Sequence, residues 1–268
     1  IGGSLEQMAG LDNFCWPDPV QSAHTPDGTY KLAQLVRACK ALYDYCLGFG
    51  VPCISGKDSM KNDANLDGQK ISILPTLLFS TIGKIADVRK CLTSDLKAAG
   101  DLVYLVGETF DECGGSEYYQ ELNIKGGLGP RVDLKTAKNR YEKISTATKQ
   151  GLICSNHDCS DAGFAAAAVE KAIGGKLGLD LDLAPANINH SLKKDRFLFS
   201  ESQSRFVLTI HPDNQQNFEN LMQDTACYLI GIVTLDPTIK IAFGDETVIC
   251  ESVSDLETSW KKTLSHAV

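Results

Sequence analysis

One stretch limits what this chain can fold into more than any other: the apolar repeat between Thr29 and Phe49. Leu32, Leu35, Val36, Cys39, Leu42, Tyr43 and Cys46 recur at three- and four-residue spacing, which predicts an amphipathic helix with one apolar face. Asp27 lies close enough to act as an N-terminal acid. Gly48 and Gly50 end the helix and Pro52 forbids its continuation. With no linker, the short apolar run Val51, Cys53 and Ile54 then predicts a buried strand.

The predicted strand opens into a polar loop, so that Val51–Asp63 reads V-P-C-I-S-G-K-D-S-M-K-N-D. Gly56 removes the Cβ barrier to close backbone approach, and Lys57, Asp58 and Ser59 add a cation, an anion and a hydroxyl. Two readings stay open here, a contact for a phosphorylated ligand and a polar turn before the next strand. A Walker loop is excluded. Gly50 and Gly56 are one residue too far apart, and Asp58 stands where a Ser or Thr must follow the lysine.

Beyond Asp63, Asp67-Gly68 predicts a hairpin turn, and Ile71–Ile85 a long apolar strand segment interrupted at Pro75. The pattern changes near residue 90, which divides the chain into expected domains 1–90 and 91–268. The second part alternates strands and helices: a strand at Asp101–Gly107, a glycine-led helix from Gly114-Gly115-Ser116, and a helix over Asp133–Gly151. A buried strand at Leu152–Cys154 precedes the polar loop Asn156–Asp161. Ser160 or Asp161 is expected to cap an alanine-rich helix, Ala162–Ile173, that Gly174-Gly175 ends. Later strands are expected at Leu177–Leu183, Phe206–Ile210, Tyr228–Thr234, Ile239–Phe243 and Thr247–Cys250, with helices at Phe218–Gln223 and Asp255–Leu264.

The loop before the alanine-rich helix, Asn156–Gly163, carries chemistry of its own. Free backbone N–H groups and the helix dipole favour an anion there, and Asp158 and Asp161 are able to hold the Mg²⁺ of such an anion. Both carboxylates serve equally well as caps and turn formers. Glu201-Ser202-Gln203-Ser204-Arg205, entering a core strand, lines either a pocket or a solvated strand edge. The run Cys154-Ser-Asn-His157-Asp158-Cys159 has a metal-like look, but beyond Cys154, His157 and Cys159 zinc would need a fourth ligand and usually a paired cluster, and neither is visible. The remaining histidines, His24, His190, His211 and His266, lie in loops or near the end, so no Ser–His–Asp or Cys–His order emerges.

Ten cysteines with no C-x-x-C pair, several of them in apolar runs (Cys46, Cys53, Cys91, Cys227), predict buried free thiols in a reducing cytoplasm. A formal charge of −8 argues against a broad nucleic-acid or anionic-membrane surface while allowing a local phosphate pocket. No apolar run approaches the roughly 18 residues of a membrane span, and Ile1-Gly2-Gly3-Ser4 has no leader features. The missing initiator Met suggests a piece of something longer.

Taken together, Leu11–Pro19 (L-D-N-F-C-W-P-D-P), Tyr30–Ala38 (Y-K-L-A-Q-L-V-R-A) and Pro52–Asp63 resemble the phosphoribosylformylglycinamidine synthase family, in its synthetase subunit. Gly114–Tyr119 (G-G-S-E-Y-Y), His157–Gly163 (H-D-C-S-D-A-G) and Glu201–Arg205 strengthen the resemblance, which runs through the whole chain in order. Ala162 departs from the family's usual Gly, and Cys159 occupies a variable position.

The resemblance implies an α+β (mixed α/β) fold: the remainder of an N-terminal mixed-sheet, ATP-binding domain, followed by a C-terminal α/β-sandwich domain of the aminoimidazole ribonucleotide synthetase-like superfamily. It implies the second of two tandem copies of that unit, begun part-way through. The family's ligase joins ammonia from glutamine to formylglycinamide ribonucleotide at the expense of ATP, and its catalytic His lies in the first copy, so no catalytic residue is expected here. Asp12, Gly56 and Lys57 are then implied on the ATP side and Ser59 towards substrate. Asp158 is implied as a Mg²⁺ ligand, and Ser160 at a second site that retains ADP. Glu201, Ser202 and Gln203 match the substrate loop of the first copy by repeat symmetry only. The implied partners are the N-terminal half of the same enzyme, a glutaminase subunit or domain, and a small ribonucleotide. The rival implication is a non-catalytic repeat that holds a nucleotide and buttresses the catalytic one.

Overall fold

The computed structural model describes residues 1–187 and 192–265, so His190 and His266 lie outside the described residues. Contacts divide the chain into two compact units, Gly3–Ala86 and Asp87–Val268, the latter with Ile1–Gly2.

The first unit is built on strand β1 (Met8–Cys15), helix α1 (Gly28–Phe49) and strand β2 (Cys53–Ser59), followed by strands β3 (Asp63–Leu66), β4 (Gln69–Ser72) and β5 (Thr76–Gly83). Its three-stranded sheet runs β2-β1-β5, with β1 parallel to β2 and antiparallel to β5. Parallel neighbours need a crossover, and α1 provides it. Gly50 ends α1 at a left-handed φ of 72°, its N–H reaching the Cys46 and Leu47 carbonyls. The β3–β4 hairpin turns at Asp67 (φ 51°) and Gly68 (φ 81°), the paired positive φ of a type I′ turn.

Three expectations for this unit are corrected. β2 is not a buried strand: Cys53–Asp58 are all exposed. Gly56–Ser59 do not form a loop; they lie inside β2, because pairing with β1 continues from Asp12↔Gly56 to Cys15↔Ser59. The chain turns only afterwards, with Lys61 at φ 60° and the Asn62 N–H donating to the Trp16 carbonyl at 3.0 Å. Along α1, only Gly28 and Lys31 are fully buried, while Leu32, Val36 and Tyr43 remain exposed. The apolar arc of the helix is wider than the seam it buries.

The second unit holds a seven-stranded sheet. Its elements in chain order are β6 (Leu102–Val106), α2 (Glu117–Glu121), α3 (Leu134–Lys149), β7 (Ser155–Asp158), α4 (Gly163–Gly175), β8 (Gly178–Asp182), α5 (Lys194–Phe199), β9 (Phe206–Ile210), α6 (Gln215–Leu221), β10 (Cys227–Thr234), β11 (Thr238–Phe243), β12 (Glu246–Ser252) and α7 (Val253–Ser265). The order is β12-β11-β8-β10-β6-β9-β7, antiparallel throughout except for the β8–β11 pair. β6 shows why the sheet is covered on both faces: Val103 and Leu105 join the core with α4, α5 and Val253, while Tyr104 and Val106 join the core with α3 and α6.

Here too the sequence reading shifts locally. The strand expected at Leu152–Cys154 is β7, three residues later, fixed by the register Ser155↔Thr209 to Asp158↔Phe206. Neither Ser160 nor Asp161 caps α4; Ala162 holds the N-cap position in a left-handed conformation without a side-chain bond. Among the cysteines expected to be buried, Cys53 is exposed and Cys46, Cys91 and Cys227 are half-buried; only Cys113 and Cys159 are buried, and no disulfide forms.

Candidate functional site

The parallel β1–β2 pairing collects the first set of candidate residues. It sets Asp12 opposite Gly56, Asn13 opposite Lys57 and Cys15 opposite Ser59. Asp12 lies so close that a Cβ at Gly56 would stand 2.6 Å from its Oδ1. Strand alternation then separates the set. Asp12 and Asp58 line a cavity of about 810 Å³ beneath α1, with Phe14, Leu42 and Tyr43 among its walls. Lys57 and Ser59 project from the opposite face, where the exposed Lys57 Nζ donates to Ser59 Oγ. That outer face also exposes Leu11, Leu78 and Ile82. The resemblance implies Asp12, Gly56 and Lys57 on the ATP side and Ser59 towards substrate; the sheet instead puts Lys57 with Ser59 on one face and Asp12 with Gly56 on the other.

In the second unit the three polar motifs converge. A single oxygen of Glu201 accepts from the Ala162 N–H and from the Glu117 N–H, both at 2.9 Å. It thereby joins the α4 end of the H-D-C-S-D-A-G loop to the start of α2. Gly163 closes the junction further: at φ 69° it packs so that an added Cβ would meet the Ser200 carbonyl oxygen at 2.3 Å. Ser202 Oγ accepts from the Phe110 N–H at 3.0 Å, and Ser200 Oγ donates to the Phe110 carbonyl at 2.6 Å.

Arg205, fully buried, holds this loop from behind. Its guanidinium donates to Ser202 O at 2.8 Å, to Thr109 Oγ1 at 2.9 Å and to Ser200 O. Arg140, also buried, donates to Ser204 O at 2.6 Å and pairs with Glu108 at 2.5 Å. Arg205 stands in a motif that the sequence marks only as polar, and Arg140 carries no spacing signal at all. The E-S-Q-S-R stretch is therefore neither a free pocket lining nor a solvated edge along its length; Ser202 and Arg205, like Ser200 just before them, are buried structural groups, while Glu201, Gln203 and Ser204 reach the surface.

On the β7 side of the same loop, His157 sits between two carboxylates, 2.7 Å from Glu170 Oε2 and 3.3 Å from Asp158 Oδ1. The bond to Asp158 raises its pKa, burial opposes that, and Glu170 adds to it. The same bond to His157 lowers the Asp158 pKa against the effect of burial. Asp158 remains largely exposed, and a hydrogen bond to Ser160 also favours its charged form. Cys159 turns the other way, into the core, where burial pushes its thiol up to about 11. Among the described residues no three His, Cys, Asp or Glu side chains gather as a metal cage.

A mixed sheet with one crossover helix, and a seven-stranded sheet that carries three convergent polar loops, define an α+β protein of the AIR synthase type. The chain belongs to the AIR synthase related family, whose C-terminal domain matches residues 98–243. It is 33% identical over 256 residues to the phosphoribosylformylglycinamidine synthase subunit PurL of Methanocaldococcus jannaschii, a match that covers 94% of this chain and 33% of that one. The chain thus spans about a third of the length of the curated relative it matches. In fold it is similar to Thermotoga maritima PurL complexed with FGAR (TM-score 0.71, 16% identity, 95% of this chain and 40% of that chain). It is likewise similar to T. maritima PurL complexed with ADP (TM-score 0.67, 16% identity, 96% and 38%). Among the described residues, no helix is long and apolar enough to cross a membrane.

Proposed function

We propose that this chain is the C-terminal part of an ATP-dependent ligase that converts formylglycinamide ribonucleotide, with ammonia derived from glutamine, into formylglycinamidine ribonucleotide in purine synthesis in the cytoplasm. The observation that carries the reading is the 33% identity to a PurL subunit along 94% of the chain. The whole reaction belongs to a longer protein, and this part contributes binding rather than a catalytic residue. Its partners are the N-terminal half of the same enzyme and a glutaminase subunit or domain.

Lys57 and Ser59 fit a phosphorylated ligand, because an exposed ammonium and a hydroxyl stand side by side on one sheet face. Lys57 would neutralise phosphate charge and Ser59 would orient the substrate, so that their work is positioning and electrostatic stabilisation. Asp12 and Gly56 line the other face at the same register and would take the nucleotide side. The apolar side chains around Lys57 and Ser59, namely Leu11, Leu78 and Ile82, suit contact with the catalytic half.

In the second unit, Ser160 would contact a retained nucleotide and Asp158 would hold Mg²⁺. A single exposed carboxylate fits that ion, which takes one or two protein carboxylates and completes its shell with phosphate oxygens and water. Bound there, Mg²⁺ would supply charge neutralisation. The Ala162 N–H is already satisfied by Glu201, so the contacts to the nucleotide would fall to Ser160 and Asp158.

The test is Lys57→Ala and Ser59→Ala in the complete enzyme, with ADP release measured against formylglycinamide ribonucleotide and ammonia. Turnover is expected to fall by at least tenfold with the fold intact by circular dichroism. Turnover within a few-fold of wild type would leave this part as a structural, nucleotide-holding repeat.

A further inference from the structure

Three cysteines line the cavity beneath α1: Cys39, Cys46 and Cys53. Two of them meet. The Sγ atoms of Cys46 and Cys53 are 3.5 Å apart, one on the last turns of α1 and the other on the first residue of β2. Their approach is built into the backbone. The Cys46 carbonyl accepts from the Gly50 N–H and, at 3.0 Å, from the Val51 N–H, which folds the chain back within the Gly50–Pro52 turn. Cys53 pairs with Gly10 of β1, so both ends of the turn are anchored in regular structure. Neither thiol is sealed away: Cys53 is exposed and Cys46 half-buried. Cys113 and Cys159, by contrast, are buried.

We propose that Cys46 and Cys53 form a redox-modification site, a dithiol that a peroxide oxidises to an intramolecular disulfide tying α1 to β2. The more exposed Cys53 sulfur attacks the peroxide, forming an S–O bond as the O–O bond breaks, and the leaving hydroxide takes up the Cys53 proton as the first water. The Cys46 sulfur then attacks that sulfenic sulfur. The S–S bond forms, the S–O bond breaks, and the departing hydroxide takes up the Cys46 proton as a second water. Two thiols are oxidised and one hydrogen peroxide is reduced to two waters. The division of labour agrees with the environment, because burial and the neighbouring Cys53 raise the Cys46 thiol to about 11, which disfavours it as the first nucleophile.

The experiment treats the protein with equimolar hydrogen peroxide, counts free thiols after denaturation, and maps non-reduced peptides by mass spectrometry. The expected result is two fewer thiols per chain, a linked peptide joining Cys46 to Cys53 lighter by two hydrogens, and full reversal by dithiothreitol. Cys53→Ser is expected to abolish the linked peptide, whereas Cys39→Ser, in the same cavity, leaves it unchanged. Sulfinic or sulfonic acid at Cys53 without a linked peptide would overturn the proposal, as would a disulfide between chains or one that survives Cys53→Ser. The wild-type peptide map decides the matter even where a variant folds poorly.

Discussion

The carboxylate of Glu201 accepts a hydrogen bond from the backbone N–H of Ala162 at 2.9 Å. Ala162 is the N-cap of α4 and brings no side-chain cap of its own, so the capping group comes from a residue 39 positions later. The same oxygen also serves Glu117, the first residue of α2. One side chain therefore caps two helices at once.

Glu201→Ala is expected to leave both donors without their acceptor and to lower the unfolding free energy by about 1–2 kcal/mol, the usual cost of a lost cap. Glu201→Gln keeps an acceptor oxygen and is expected to lose less. Equilibrium denaturation of the two variants checks the order; equal stability of Glu201→Ala and wild type would mean that the junction does not depend on this carboxylate.

At the β1–β2 register the expected behaviour is coupling. A Cβ at Gly56 meets the Asp12 carboxylate, the end of a side chain that is able to swing aside. Gly56→Ala alone is therefore expected to change stability little, while in an Asp12→Ala background it stabilises by about 0.5–1 kcal/mol, the ordinary gain from replacing a strand glycine. A double-mutant cycle with no interaction energy would contradict the contact.

Lys171 is fully buried, donating to Ser155 Oγ at 2.7 Å and to Ser94 O at 2.9 Å, with burial lowering its pKa from 10.5 to about 7. The folded protein thus releases this proton near pH 7, while the unfolded chain keeps it to about 10.5. In that window the unfolded state binds more protons, so the contribution of Lys171 to stability rises with pH. Lys171→Met is expected to flatten the rise in denaturation midpoint between pH 7 and pH 10; an unchanged slope would sink the assignment.

His157 carries the opposite sign. Its pKa is raised by Asp158 and Glu170, so the stability it adds is fully present below the ordinary histidine value of about 6.5 and is lost as pH rises through the folded value. Glu170→Gln is expected to move the NMR titration midpoint of His157 downward. No movement would mean that the 2.7 Å contact with Glu170 does not persist in solution.

How far the sequence reads ahead of the structure depends on range. Helix α1, its stop at Gly50, the Asp67-Gly68 turn and the apolar run of β6, with Val103–Val106 buried, are local patterns, and they appear where periodicity and turn chemistry place them. Lys57 and Ser59 were legible as polar residues after a glycine, but not as one face of a strand, because that follows from pairing with β1 more than forty residues earlier. The cap of α4 was misread for the same reason. Asp161 stands beside the helix in sequence, whereas Glu201 reaches it through a loop that the buried Arg205 holds in place. Burial of the paired thiols was misread because their apolar neighbours in sequence line an open cavity.

Gly163 differs from Gly56 in what stands over it: a main-chain oxygen, Ser200 O, which has no rotamer to escape into. Its neighbour Ala162 already bears a methyl group, so tolerance to mutation changes abruptly from one residue to the next. The loop before α4 and the backbone of residues 198–200 are thereby tied in the changes they accept. Ala162, left-handed at φ 55°, resists β-branched replacements through its own backbone, whereas Gly163 gives way only if the backbone of residues 198–200 is re-routed in the same step.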